Sequence, residues 1–240
     1  MCTVVTLSRP GHAWPLLLAA NRDERLDRAF EAPGHHWPAQ PGVLAGRDRA
    51  GGGTWMGVNE AGLVAAVLNR AGSLGPAPGK RSRGALPLLA LAHASAAAAA
   101  RALAGQDAAA WRTFNLVLAD RHAVFFLCGL GSGPIAATLL APGLHMITAG
   151  NPDDPASARV ARHLPRFRTA PVPDPGRGEW HAWRALLGDD GGPPEAQLAV
   201  RPRGGFGTIS ASLLGLGADG SRVWLFADAS PAGAPFRALP

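Results

Sequence analysis

The sequence predicts an α+β fold: two antiparallel sheets with helices outside them, a four-layer αββα sandwich. Three observations lead there. Apolar, β-branched runs come in adjacent pairs joined by short polar or glycine-rich turns, the pattern of antiparallel hairpins. Helical stretches arrive in blocks between these pairs, not after every strand, which argues against a doubly wound parallel sheet. The strands are nearly continuous in apolar residues, so both faces of each sheet are expected to be covered.

In chain order, the first hairpin joins Thr3–Ser8 to 14–20 through the break Arg9-Pro10-Gly11-His12, and Asn21-Arg22-Asp23-Glu24 closes it as a polar exit. Residues 32–49, rich in Pro and Gly and carrying His35-His36-Trp37, read as a long loop. A second hairpin pairs 54–59 with 63–68 and ends on Asn69-Arg70. Ser82 is placed to cap a helix over 84–103 with Pro87 in its first turn, and a weaker helical piece covers 106–111. Residues 113–119 and 123–128 form a third hairpin ending at Cys128, which reads as core. A strand over 144–148 leads to Asn151-Pro152. Helices over 155–167 and 179–187 follow, then a fourth hairpin, 206–215 with 222–228. In the first of these helices Val160, Leu164 and Phe167 share the apolar face, with Arg159, Arg162 and Arg166 mostly elsewhere.

Composition narrows the class. The chain has 240 residues, expected to form one domain over 1–240; 47% are hydrophobic and 17% charged, which argues against disorder. The net charge of +6 comes from arginines scattered from Arg9 to Arg237, Lys80 being the only lysine, so no nucleic-acid partner is expected. Lys80-Arg81-Ser82-Arg83 reads as a solvated loop. Cys2 and Cys128 lack the pattern of a disulfide framework, no secretory signal is evident, and a reducing, cytoplasmic setting fits. Residues 85–104 have membrane-span length but are alanine-rich and contain His93 and Arg101. They read as a soluble helix, and no membrane insertion is expected.

The chemistry concentrates at the N-terminus. Loss of Met1, expected because Cys2 is small, leaves a thiol and a free α-amine on one residue. Their ordinary pKa values, about 8.5 and about 7.7–8.0, suit a nucleophile and its base, and a working nucleophile is expected to have its thiol pKa depressed. Antiparallel pairing would return Asn21-Arg22-Asp23-Glu24 beside Cys2. The competing reading is a buried cysteine next to a solvated turn. Gly215-Leu216-Gly217-Ala218-Asp219-Gly220 spells a dinucleotide fingerprint but leads into a strand and not a helix, so it reads as a hairpin. His35 and His36 have no third donor at metal spacing, and no metal or cofactor is required.

Met1-Cys2-Thr3, Ala20-Asn21-Arg22-Asp23-Glu24, Gly53-Thr54-Trp55-Met56-Gly57-Val58-Asn59 and Gly207-Thr208 resemble, in that order, the NRDE or transport and Golgi organization protein 2 family. That family is similar to the choloylglycine hydrolase and penicillin V acylase branch of the N-terminal nucleophile hydrolases, which cleave non-peptide amides in an αββα sandwich. The resemblance implies Cys2 as nucleophile, Asp23 as the aspartate orienting it, Asn69 as an oxyanion-hole donor and Asn151 as an asparagine near the Cys2 amine. Asn21, Arg22 and Trp55 are the expected substrate-binding residues. It also implies arginines where this chain has Ala20 and Ile209. The expected reaction begins when the amine takes the thiol proton; the thiolate then forms a thioester with an amide acyl group, and water releases it. The alternative is a carrier or chaperone for haem or another apolar ligand, since family members are linked to lipid handling and haem movement. Cys2, His12, His35 and His36 are then the conceivable axial ligands.

Overall fold

The computed structural model describes residues 2–73, 75 and 77–240, so the expected excision of Met1 concerns a residue outside those described. The chain divides into two compact units, one made of residues up to Asp27 together with Gly143–Pro240, the other of Arg28–Pro142.

The first unit is built on a six-stranded antiparallel sheet. Its strands are β1 (Thr3–Ser8), β2 (Leu16–Arg25), β10 (Gly143–Ile147), β11 (Phe206–Leu216), β12 (Arg222–Ala227) and β13 (Arg237–Ala238). Their spatial order is β10-β1-β2-β11-β12-β13, so the two ends of the chain are interleaved. Helices α3 (Ala158–Thr169) and α4 (His181–Leu187) cover one face of it. Val5, Leu7, Leu17, Ala19 and Leu213 from the strands pack there against Val160, Phe167 and Trp183. Each of these strand residues is separated from its neighbours on the same strand by an even step, as a two-residue period requires.

The second unit is a seven-stranded meander whose spatial order is its sequence order: β3 (Phe30–Gly34), β4 (Val43–Asp48), β5 (Met56–Asn59), β6 (Val64–Asn69), β7 (Phe114–Ala119), β8 (Val124–Gly129) and β9 (Ala136–Leu140). Helices α1 (Ala85–Leu91) and α2 (Ala96–Leu103) cover its core of Leu63, Ala65, Leu116, Leu118 and Leu127.

Several expectations change. Residues 32–49 are not one loop; they hold most of β3 and all of β4, the turn-forming residues being confined to the connection. The helix expected over 84–103 is two. Ser95 accepts from Ala98 N at 3.2 Å and Asp120 Oδ2 from Ala96 N at 2.7 Å, so a fresh helix start is satisfied where the alanine run alone suggested continuity. β9, which the sequence reading did not assign, is an edge strand with four of its five residues exposed. Cys128 is half-buried, not core. Among the described residues no helix is long and apolar enough to cross a membrane.

Candidate active site

β2 does not stop at the polar run. It continues to Arg25 because β11 pairs with it past the start of β1, Arg25 opposite Phe206 and Asp23 opposite Thr208. The register of β1 on β2 sets Thr3 opposite Asn21. The residue before Thr3 therefore meets the residues after Asn21, and Cys2 Sγ donates to the Asp23 carbonyl oxygen at 3.7 Å.

The Asp23 carboxylate is fully buried. Its Oδ2 accepts from Arg159 Nη1 at 2.9 Å and its Oδ1 from Thr208 Oγ1 at 2.6 Å. Arg159 Nη1 also donates to Thr3 Oγ1 at 3.0 Å, and Val200 N donates to Thr208 Oγ1 at 2.7 Å. With side-chain exposures of 2% and 0%, Arg159 and Asp23 form a desolvated ion pair, stable only because further hydrogen bonds fill the remaining positions. It is this cluster that fixes the backbone beside Cys2.

Two local features make it. Ser157 caps α3, and Arg159 sits in the helix's first turn on the buried stripe Arg159, Val160, His163, Leu164 and Phe167. The arginine expected to lie mostly off that face is on it. In β11 the register shifts between Thr208 and Ser210, leaving Ile209 as the extra residue of a bulge. Without that residue, Thr208 and Ser210 would point the same way. With it, Thr208 meets Asp23 while Ser210 pairs with Arg22. The positions implied for arginine hold Ala20 and Ile209, and the buried guanidinium groups here are Arg22 and Arg159 instead.

Burial pushes the Cys2 thiol above its ordinary pKa, and the Asp23 carboxylate pushes it the same way; the hydrogen bond with the Asp23 backbone and, less, the Arg22 charge oppose both in part. The depressed thiol expected of a nucleophile is therefore not what this environment gives.

The other candidates are placed as follows. Asn21 Nδ2 donates to the carbonyls of Leu187 and Leu198, both at 2.9 Å, tying β2 to the end of α4 and to the segment before β11. Asn151 is exposed in the turn after β10. That turn is clamped by Asp153, which has φ 58°. Asp153 Oδ1 accepts from Met146 N at 2.7 Å, and Oδ2 lies 2.6 Å from His145 Nδ1. Asn69 ends β6 and Trp55 precedes β5, both in the second unit. Trp55 stands edge-on to Phe30 with centroids 5.5 Å apart, and Gly46 has no side chain because a Cβ there would fall 2.2 Å from the indole. His12 is exposed, with Nδ1 accepting from Trp14 N at 3.0 Å; His36 pairs with Glu31 at 3.2 Å, and His35 is exposed.

This arrangement leads to a family. A model of the family described as transport and Golgi organisation 2 matches residues 1–170. The chain belongs to that family. No curated protein sequence matches it. Among solved structures, an N-acylethanolamine-hydrolyzing acid amidase ortholog from Caenorhabditis elegans is similar with a TM-score of 0.58 at 10% identity, covering 89% of this chain and 92% of that one. Two variants of conjugated bile acid hydrolase from Clostridium perfringens are similar at 13% identity, with TM-scores of 0.54 and 0.50. The first covers 99% of this chain and 92% of its own; the second covers 100% and 97%. At such identities the likeness shows the fold, the N-terminal nucleophile hydrolase-like αββα sandwich expected from the sequence. This family member carries two functional candidates the sequence reading passed over, Arg159 and Thr208. Helical spacing from Val160 and Phe167 carried a signal for Arg159, but a charged residue in an apolar stripe reads as solvated until a carboxylate is seen to meet it.

Proposed function

We propose that this chain is an N-terminal cysteine amidohydrolase that cleaves a non-peptide amide through a Cys2 thioester. The observation carrying this reading is the Cys2 Sγ held against the Asp23 carbonyl, with Asp23 itself locked by Arg159 and Thr208. A thiol whose pKa burial raises needs a base at the moment of attack, and in the Met1-free chain the Cys2 α-amine is that base. The amine takes the S–H proton as sulfur bonds to the acyl carbon. It then passes the proton to the leaving nitrogen as the C–N bond breaks. Water, deprotonated by the same amine, attacks the thioester; the C–S bond breaks and the thiol is restored. In this proposal Asn151 orients the amine, a role assigned from the family resemblance, and loss of a donor to the oxyanion costs about 10²–10³ in kcat. Of the residues expected to contact substrate, Arg22 shares the face of Cys2, whereas Asn21 is buried on the other face and ties β2 to Leu187 and Leu198. The proposed chemistry calls for no cofactor.

The test is turnover by Met1-free protein, verified by intact mass, on N-acylethanolamines, conjugated bile acids, N-acyl amino acids and acyl-homoserine lactones. At least one amide class is expected to turn over, and Cys2→Ser to lower kcat/KM by about 10³-fold or more. A folded, Met1-free chain that hydrolyses none of them would falsify the reading.

A further inference from the structure

Alternation along β2 sorts the Asn21–Glu24 run by face. Asn21 and Asp23 go to the face covered by α3 and α4, where the Leu187 and Leu198 carbonyls, Arg159 and Thr208 receive them. Arg22 goes to the opposite face with Leu18 and Ala20. On β1 that face carries Val4 and Thr6, and the same extended period puts Cys2 with them. β11 adds Ser210 directly across from Arg22, an alignment that exists only because the bulge at Ile209 shifts the register. Arg22 is 6% exposed. A permanent positive charge with five donors is therefore kept under cover on the thiol's face, while the carboxylate of the adjacent residue is compensated by Arg159 on the other.

We infer that Arg22 is a positioning residue for the Cys2 thiolate: its guanidinium supplies the field that stabilises negative charge on Sγ once the proton has left. For its catalytic meaning this rests on the amidohydrolase reading; its test does not. The Arg22 charge acts against burial and Asp23 on the thiol, in the required direction. Being charged at every accessible pH, it would do so without titrating itself.

The experiment is the pH profile of iodoacetamide alkylation at Cys2 in the full, Met1-free chain, read by peptide mass with Cys128 as internal reference. Arg22→Met is expected to raise the Cys2 midpoint and slow alkylation severalfold below it, with Cys128 unchanged. Arg22→Lys, which keeps the charge, is expected to restore most of the rate. Should Arg22→Met not fold, Arg22→Gln carries the same comparison. A Cys2 profile that is the same with arginine, lysine and an uncharged residue overturns the inference, whatever the enzyme turns over. An Arg22-dependent profile in a chain that hydrolyses no amide leaves the inference standing and removes the amidohydrolase reading.

Discussion

The two units bury polar groups by opposite means. In the first, a carboxylate and a guanidinium are taken out of water together: Asp23 and Arg159, from segments 136 residues apart, meet with Thr208 and Thr3 filling the remaining positions. In the second, buried polar groups are met by neutral partners: the Asp120 carboxylate accepts from Ala96 N at 2.7 Å and from His122 N and Ala123 N at 2.8 and 3.0 Å. Asn59 donates to the Leu91 and His93 carbonyls at 2.9 and 2.7 Å and accepts from Leu63 N at 2.9 Å, and Arg70 reaches the neutral Asn115 Oδ1 at 2.7 Å. Charge burial is costly and yields little net stability. Pairing a buried cation with a buried anion beside the candidate nucleophile, where the meander meets Asp120 with backbone N–H groups, is the mark of a unit that gives up stability to fix a site.

The comparison can be broken at its charged end first. Arg159→Met leaves the Asp23 carboxylate buried against Thr208, and a loss of about 3–5 kcal/mol is expected in urea unfolding. Arg159→Met with Asp23→Leu should regain much of that stability while abolishing turnover; a double variant no more stable than the single one would refute the account of a site held at a cost. Thr208→Val removes one donor to Asp23 and the acceptor for Val200 N, and about 1–3 kcal/mol should be lost by the same measurement. Arg70→Met removes a half-exposed cation from a neutral acceptor, so its cost in the second unit should stay near 1 kcal/mol. A loss equal to that of Arg159→Met would erase the contrast.

The smallest effect concerns pH. His163 is buried, its Nε2 2.8 Å from the Ala196 carbonyl and its Nδ1 3.1 Å from Arg166 Nη1. Burial lowers its pKa, Arg166 and Arg162 lower it further, and the Ala196 bond and Asp189 oppose them. The unfolded chain, with an ordinary histidine near about 6.5, therefore takes up the proton first, so stability is intact above that value and lost as pH falls below it. Chemical denaturation between pH 7 and 5 should show this slope, and His163→Gln should flatten it.

Much of the fold could be read from residue order. The hairpins of β5 with β6, β7 with β8 and β11 with β12 announce themselves through alternating or continuous apolar runs and short turns. Where the reading failed, a local signal competed with a distant partner. Asn21-Arg22-Asp23-Glu24 looks like a turn because four polar residues usually are one, yet β11 supplies the ladder that keeps it a strand. The alanine run 96–100 looks like the continuation of α1, yet Asp120 from the β7–β8 connection accepts from Ala96 N and starts a second helix.

What the sequence determined by itself is the chemical inventory and its first pairing. A cysteine at position 2, a strand, a break and a returning strand bring Asp23 to the thiol through nearest-neighbour geometry alone. Tertiary structure decided what each side chain does there. Which face of β2 receives Asp23 and which receives Arg22 follows from alternation, but their partners come from α3 and β11, more than a hundred residues away. Whether the thiol rests ionised or protonated depends on burial and on charges those distant elements arrange, and these are properties of packed neighbours that no local pattern encodes.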